Sequence, residues 1–237
     1  MHRETGPVLL ATHEGLFDMT RSPAARILDT IDLMGFTAAA DNGVFYASGH
    51  PGPGSDLPNP IGLIRSVDGG KSWEPLSRQG GSDFHALTTT RSGIVGYDGT
   101  LRTSPDGKTW SDVPVDFVPA VLAGSPESST VLATTRDGVQ RSSDGGKTWA
   151  LVPKAPVIQF AAFASGTEVI GVEPSGAVHC SADAGSTWAR TGSIGGKVQA
   201  IAAVKRGEGK PSIWAATTEG LVVSTDGGSS FRASDGQ

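Results

Sequence analysis

Four side chains in the first half of the chain, His13, Met34, His50 and His85, carry donor atoms suited to a soft or borderline metal ion such as copper or zinc. Glu14 and Asp56 form a carboxylate pair of the type that can hydrolyse a glycoside. Gln159 and Gln199 supply neutral hydrogen-bonding groups further along. None of these residues makes a local motif, so they act together only where the fold gathers them. The same residues also read as hydrogen-bonded polar groups around a water-filled channel. The elements that position them therefore decide the chemistry.

Those elements repeat. Ser66-Val67-Asp68-Gly69-Gly70-Lys71-Ser72-Trp73 recurs as Ser142-Ser143-Asp144-Gly145-Gly146-Lys147-Thr148-Trp149 and as Ser181-Ala182-Asp183-Ala184-Gly185-Ser186-Thr187-Trp188. A fourth copy, centred on Asp226, ends in Phe231, and the copy centred on Asp106 is one residue short. The five aspartates are separated by 38, 38, 39 and 43 residues, a period that points to a radial or solenoid array of small units. In each copy the carboxylate can accept backbone N–H groups of its own turn, the glycines permit positive φ, and the aromatic ring packs between neighbouring sheets.

Upstream of each turn lies a hairpin pattern, as in Val131-Leu132-Ala133-Thr134-Thr135-Arg136-Asp137-Gly138-Val139 and Ile213-Trp214-Ala215-Ala216-Thr217-Thr218-Glu219-Gly220-Leu221. Val8-Leu9-Leu10-Ala11-Thr12-His13-Glu14-Gly15-Leu16 repeats it without a following Asp turn, which makes six units. With 33 glycines, 15 prolines and 37% hydrophobic residues, the chain has many turns, enough apolar residues for a core and little room for long helices. The expected fold is all-β: a single six-bladed β-propeller over 1–237, with four-stranded blades near 1–32, 33–78, 83–115, 116–154, 157–192 and 197–234. Blade 1 is expected to lack its inner strand, because only Met1 to Pro7 precede its second one.

In such a fold the strand 2–3 loops and the loops leading into each inner strand share one face, and the Asp turns lie on the other. The Asp turns are thus expected to be structural. Aligning the inner strands places Met34, His85, Gln159 and Gln199 at equivalent positions near a channel mouth, where blade 4 offers Val118-Pro119-Ala120-Val121 instead. His13 and Glu14 join them from blade 1, and blade 2 adds a long proline-rich insertion from Ser48 to Gly62 that carries His50 and Asp56. A loop of that length in so tight a repeat is more often functional than idle. His179 and the single cysteine, Cys180, lie on a third strand and read as ordinary strand residues. The net charge of -5 offers no basic field for nucleic acid, no apolar run is long enough to span a bilayer, and the start, Met1-His2-Arg3-Glu4, lacks the apolar core of a signal peptide.

The five turns resemble the Asp box, or BNR repeat, of sialidases and related proteins. Met34-Gly35-Phe36-Thr37, the stretch from Ala47-Ser48-Gly49-His50-Pro51 through Asn59-Pro60 to Ile64, and Asp83-Phe84-His85-Ala86-Leu87 look like a group of bacterial glycosylhydrolase-like proteins of unknown activity. That resemblance implies an extracytoplasmic home, secreted or lipid-anchored. It also implies a His-X-His-Gly inner strand in blade 1, of which only His2 stands near the position here. A retaining sialidase needs three arginines, a Tyr nucleophile with a Glu partner and an Asp acid. Here Arg65, Arg102 and Arg141 repeat on third strands and look structural, and Tyr46 and Tyr97 are the two tyrosines. The expectation is therefore a non-catalytic propeller whose partner is a metal ion, a small molecule, a glycan or a protein. A glycoside hydrolase and a protein-assembly scaffold are the alternatives, the scaffold being disfavoured by 6% aromatic residues and no evident apolar stripe.

Overall fold

The computed structural model describes residues 7–21, 23–28 and 31–234; His2 lies outside them. Short apolar strands punctuated by glycine turns form six small antiparallel sheets, and no helix occurs among the described residues: the fold is a six-bladed β-propeller. The chain divides into two compact units, one up to Pro114 and one from Val115.

In the first unit, β1 (Leu9–Thr12), β2 (Gly15–Asp18) and β3 (Ala25–Arg26) form a three-stranded sheet. Next come β4 (Asp32–Ala38), β5 (Phe45–His50), β6 (Leu63–Ser66) and β7 (Glu74–Ser77) in sequential order. The third sheet consists of β8 (Ala86–Thr90), β9 (Gly93–Tyr97), β10 (Leu101–Ser104) and β11 (Ser111–Val113). In the second unit the four-stranded sheets are β12 (Val121–Gly124) to β15 (Ala150–Leu151), β16 (Phe160–Phe163) to β19 (Ala189–Ser193), and β20 (Val198–Val204) to β23 (Arg232–Ala233).

The three-stranded first sheet opens on a hairpin. Thr12 pairs with Gly15, and the Thr12 hydroxyl donates to the Gly15 carbonyl while accepting the Glu14 N–H. The Thr135–Gly138 and Thr217–Gly220 hairpins make the same bonds, and both join the second and third strands of their sheets. The Thr90–Gly93 hairpin, which joins the first and second strands of its sheet, makes them too, so this turn marks a hairpin and not a strand's rank. Among the described residues β1 is an edge strand of its sheet and no strand stands inside it.

Each Asp turn closes on itself. Asp68 Oδ1 accepts the N–H groups of Lys71 and Ser72 at 3.0 and 2.9 Å, and Oδ2 accepts the Ser72 hydroxyl at 2.6 Å. Asp144 and Asp226 repeat all three bonds with their own turns, and Asp183 repeats the two made to Thr187. These donors stabilise the ionised form. The Ser72 hydroxyl and N–H draw Asp68 down to about 2, and those of Thr187 do the same for Asp183. At Asp144 burial pushes upward and is outweighed by Thr148, again leaving a value of about 2. Asp226 is held further below the carboxylate range by Ser230, and the N–H of Thr109 leads the lowering at Asp106.

The indoles of Trp73, Trp149 and Trp188 donate to the carbonyls of their own turn glycines, Gly70, Gly146 and Gly185. Trp110, in the short copy, instead donates to Ser77 Oγ on the preceding sheet, and that hydroxyl donates to the Gly107 carbonyl. The rings fill the space between sheets, as expected. Trp73 packs against the cluster of Leu16, Leu33, Ala47, Ile61 and Ile64, and Trp188 against that of Leu132, Val139, Ile158 and Val169. In the turns of Asp68, Asp106 and Asp183 a glycine also sits close to the sheet before it: a Cβ on Gly70 would come within 2.8 Å of Leu16, one on Gly107 within 2.7 Å of Leu76, and one on Gly185 within 2.6 Å of Leu132.

Candidate functional site

The inner strands begin alike. His85 N–H donates to the Tyr97 carbonyl, Ala120 N–H to Thr134, and Gln159 N–H to Val172, so each of these residues stands one step before its inner strand, opposite the end of the second. Met34 and Gln199 occupy the bulges that shift the pairing of β4 with β5 and of β20 with β21 (Ser212–Thr217). His85, Gln159 and Gln199 are exposed and Met34 is half-buried. Met34 and His85 belong to the first unit, Gln159 and Gln199 to the second.

In the first unit, an aspartate two residues before the aligned position takes a histidine from the preceding sheet. His13 Nδ1 lies 2.6 Å from Asp32 Oδ1, and His50 Nε2 lies 3.0 Å from Asp83 Oδ2. Asp32 and His50 are also register partners across β4 and β5, which sets the two couples side by side. Gly49 makes that approach possible, since a Cβ there would fall 1.8 Å from the Asp32 carbonyl oxygen. Asp83 Oδ2 further meets His85 Nε2 at 3.3 Å, and the Asp83 carbonyl meets His85 Nδ1 at 3.2 Å. Asp83 is mostly buried, and its Oδ1 is a buried oxygen with no hydrogen-bond partner.

The insertion loop returns to the same place. His50 Nδ1 is 2.7 Å from Asn59 Oδ1, Ile61 N–H donates to the Gly49 carbonyl, and Gly80 N–H donates to the Pro60 carbonyl. The Asn59 contact is the largest influence raising the His50 pKa above 6.5; partial burial opposes it, and the charges of Asp83 and Asp32 add to it. Asp56 lies exposed on this loop, and Glu14 is 4.0 Å from Arg26.

The proposed metal ligands do not fit an ion. Among the described residues no group of three or more His, Cys, Asp or Glu side chains is placed to hold a metal. His13 turns to Asp32, both ring nitrogens of His50 and His85 face oxygen atoms, and Met34 sits in a bulge. The three third-strand arginines are engaged elsewhere: Arg65 with Glu74, Arg102 with Asp98 and Asp112, and Arg141 with the Ala184 carbonyl. His179 is buried and bonded to Glu173 at 2.7 Å, and burial pushes the Cys180 thiol pKa up.

Sequence reasoning named the histidines but passed over Asp32, Asp83 and Asn59. The two aspartates carried a usable signal, since each precedes its aligned residue, Met34 or His85, by two positions. Asn59 carried none, because its partner is set by how the insertion folds back.

A propeller with these repeats is the class the geometry defines. No family model matches the chain, and no curated protein matches it. Among solved structures it is similar to a chain in the nidogen/laminin complex, with a TM-score of 0.72 and 14% identity over 94% of this chain and 90% of that one. It is also similar to the GH74 xyloglucanase of Xanthomonas campestris, with a TM-score of 0.61 and 18% identity over 98% of this chain. YCF48 bound to D1 peptide gives a TM-score of 0.54 and 15% identity over 97% of this chain and 72% of that one. The chain spans only 38% of the length of the xyloglucanase. At these identities the likeness is one of fold.

Proposed function

We propose that the chain is a non-catalytic binding propeller of the Asp-box, sialidase-like kind, which takes a polar ligand on the His/Asp face of its first unit. The carrying observation is the repeated couple, His13 with Asp32 and His50 with Asp83, standing at exposed strand ends beside His85. Such a surface offers imidazole and carboxylate groups to a ligand with hydrogen-bonding groups, such as a glycan or a peptide. Hydrolysis is disfavoured by the state of the acids. Asp32 and Asp83 are engaged by imidazoles, and Glu14 stands near Arg26, so none of these three is a free carboxylate. An extracytoplasmic location accords with this reading, as the resemblance implies.

A protein-assembly role is the second reading. Val118 and Val157, each two residues before the aligned position in its blade, are 66% and 67% exposed in the second unit, and exposed apolar side chains favour a protein partner. Two fold neighbours, YCF48 bound to D1 peptide and a chain of the nidogen/laminin complex, accord with polypeptide partners.

Binding is tested by screening glycan and peptide libraries against the wild type, Asp83→Ala and Val118→Asp with Val157→Asp. Loss of a hit in Asp83→Ala supports the first reading, and loss only in the valine double variant supports the second. Turnover of an aryl glycoside that Glu14→Gln abolishes would overturn both.

A further inference from the structure

The blade 2 insertion is fastened at a point that depends on one proton. His50 ends β5 where the insertion leaves the sheet, and Asn59 stands where it returns. The His50 ring reaches both Asn59 Oδ1 at 2.7 Å and Asp83 Oδ2 at 3.0 Å. Both partners are acceptors as placed, yet a neutral imidazole has one N–H and one lone pair. Only imidazolium donates to both oxygens at once. We propose that His50 is a proton-operated latch: its charged ring ties the returning end of the insertion to Asp83 of the next blade, and losing the proton frees the span between.

The surroundings favour the charged ring. Asp83 faces it from the β7–β8 connection and Asp32 from the neighbouring strand, while Asn59 faces it from the insertion. His85 competes for the same Asp83 oxygen, and His13 draws on Asp32. The raised pKa of His50 agrees in direction. A group whose folded pKa is raised contributes below its unfolded value, near 6.5, and that contribution is lost as pH rises through the folded value. The latch therefore holds in mild acid and opens towards alkaline pH. Ile61 and Pro60 remain bonded to Gly49 and Gly80 in either state, so release is confined to the span before them. The inference stands whether or not a ligand binds this face.

The test is amide hydrogen exchange of the full chain from about pH 5.5 to about pH 8.5, corrected for intrinsic rates, with histidine nitrogen shifts read by NMR. The Ser55 and Leu57 amides, which donate to the Gly52 carbonyl and to Ser55 Oγ, are expected to lose protection through the His50 titration, about tenfold for each unit by which the contacts raise its pKa. His50→Gln is expected to remove the pH dependence, and Asn59→Ala to expose the span at every pH while the global unfolding midpoint is kept. Protection that is flat with pH in the wild type would overturn the latch, because the Asn59 amide would then be donating to a neutral ring. Uptake of one equivalent of zinc through His50 at about pH 7.5 would overturn it as well, since an ion would then join the side chains.

Discussion

Phe84→Ala should be the most damaging single truncation in the first unit. The Phe84 side chain is fully buried, its ring stacks on Trp110 at 4.7 Å, and its backbone N–H donates to Ser48 Oγ. The walls around it have little room to collapse: a Cβ on Gly96 would fall 2.6 Å from the ring, and one on Gly35 would fall 2.3 Å from the Phe84 carbonyl oxygen. A cavity that cannot close belongs at the upper end of the aromatic-to-alanine range, about 4–5 kcal/mol. Against a total stability of about 5–15 kcal/mol this is a large share, and for a chain of this size it lowers Tm by roughly 8–20 °C. Phe84→Leu, which keeps most of the volume, should cost about 1.5 kcal/mol or less. Urea unfolding and calorimetry of the three proteins measure the series. A Tm drop under about 3 °C for Phe84→Ala would show that the space between β8 and the sheet before it is not packed as described.

Two further outcomes follow from the Asp turns. Because the folded pKa values of Asp68, Asp144 and Asp183 are lowered to about 2, their contribution is full above the unfolded carboxylate range and is lost as pH falls towards 2; acid unfolding followed by tryptophan fluorescence should begin at higher pH in Asp144→Asn, and an unchanged acid midpoint would refute the assignment. Ser77→Ala should cost about 1–3 kcal/mol in urea unfolding by leaving the Trp110 indole N–H without its acceptor, whereas the neutral change Ser72→Ala on an exposed turn should cost less.

Much of this architecture was legible because its signals are local. A Thr-x-x-Gly hairpin and a Ser-x-Asp turn specify their own hydrogen bonds, so the count of six sheets could be read directly from the residues. The site was legible in its residues and less so in its pairing. His13, His50 and His85 do stand at strand ends in the first unit, but what each ring meets depends on aspartates from a neighbouring sheet and on bulges that no local pattern announces. Metal donors were read from side-chain type and from the expected gathering of these residues on one face, whereas the structure sets the imidazole nitrogens against carboxylate and amide oxygens. The exposed valines of the second unit were invisible for a related reason: only the register of the lead-in loops shows that Val118 and Val157 are counterparts.

The turn glycines facing Leu16, Leu76 and Leu132 act as spacers of fixed thickness. With no side chain there, one blade rests directly on the aliphatic flank of its predecessor, and the separation between them is written into those repeats. Transplanting a blade into another scaffold would therefore require moving two things together, the glycine and the branched aliphatic residue it touches. A repeat moved without its counterpart would bring the wrong gap with it.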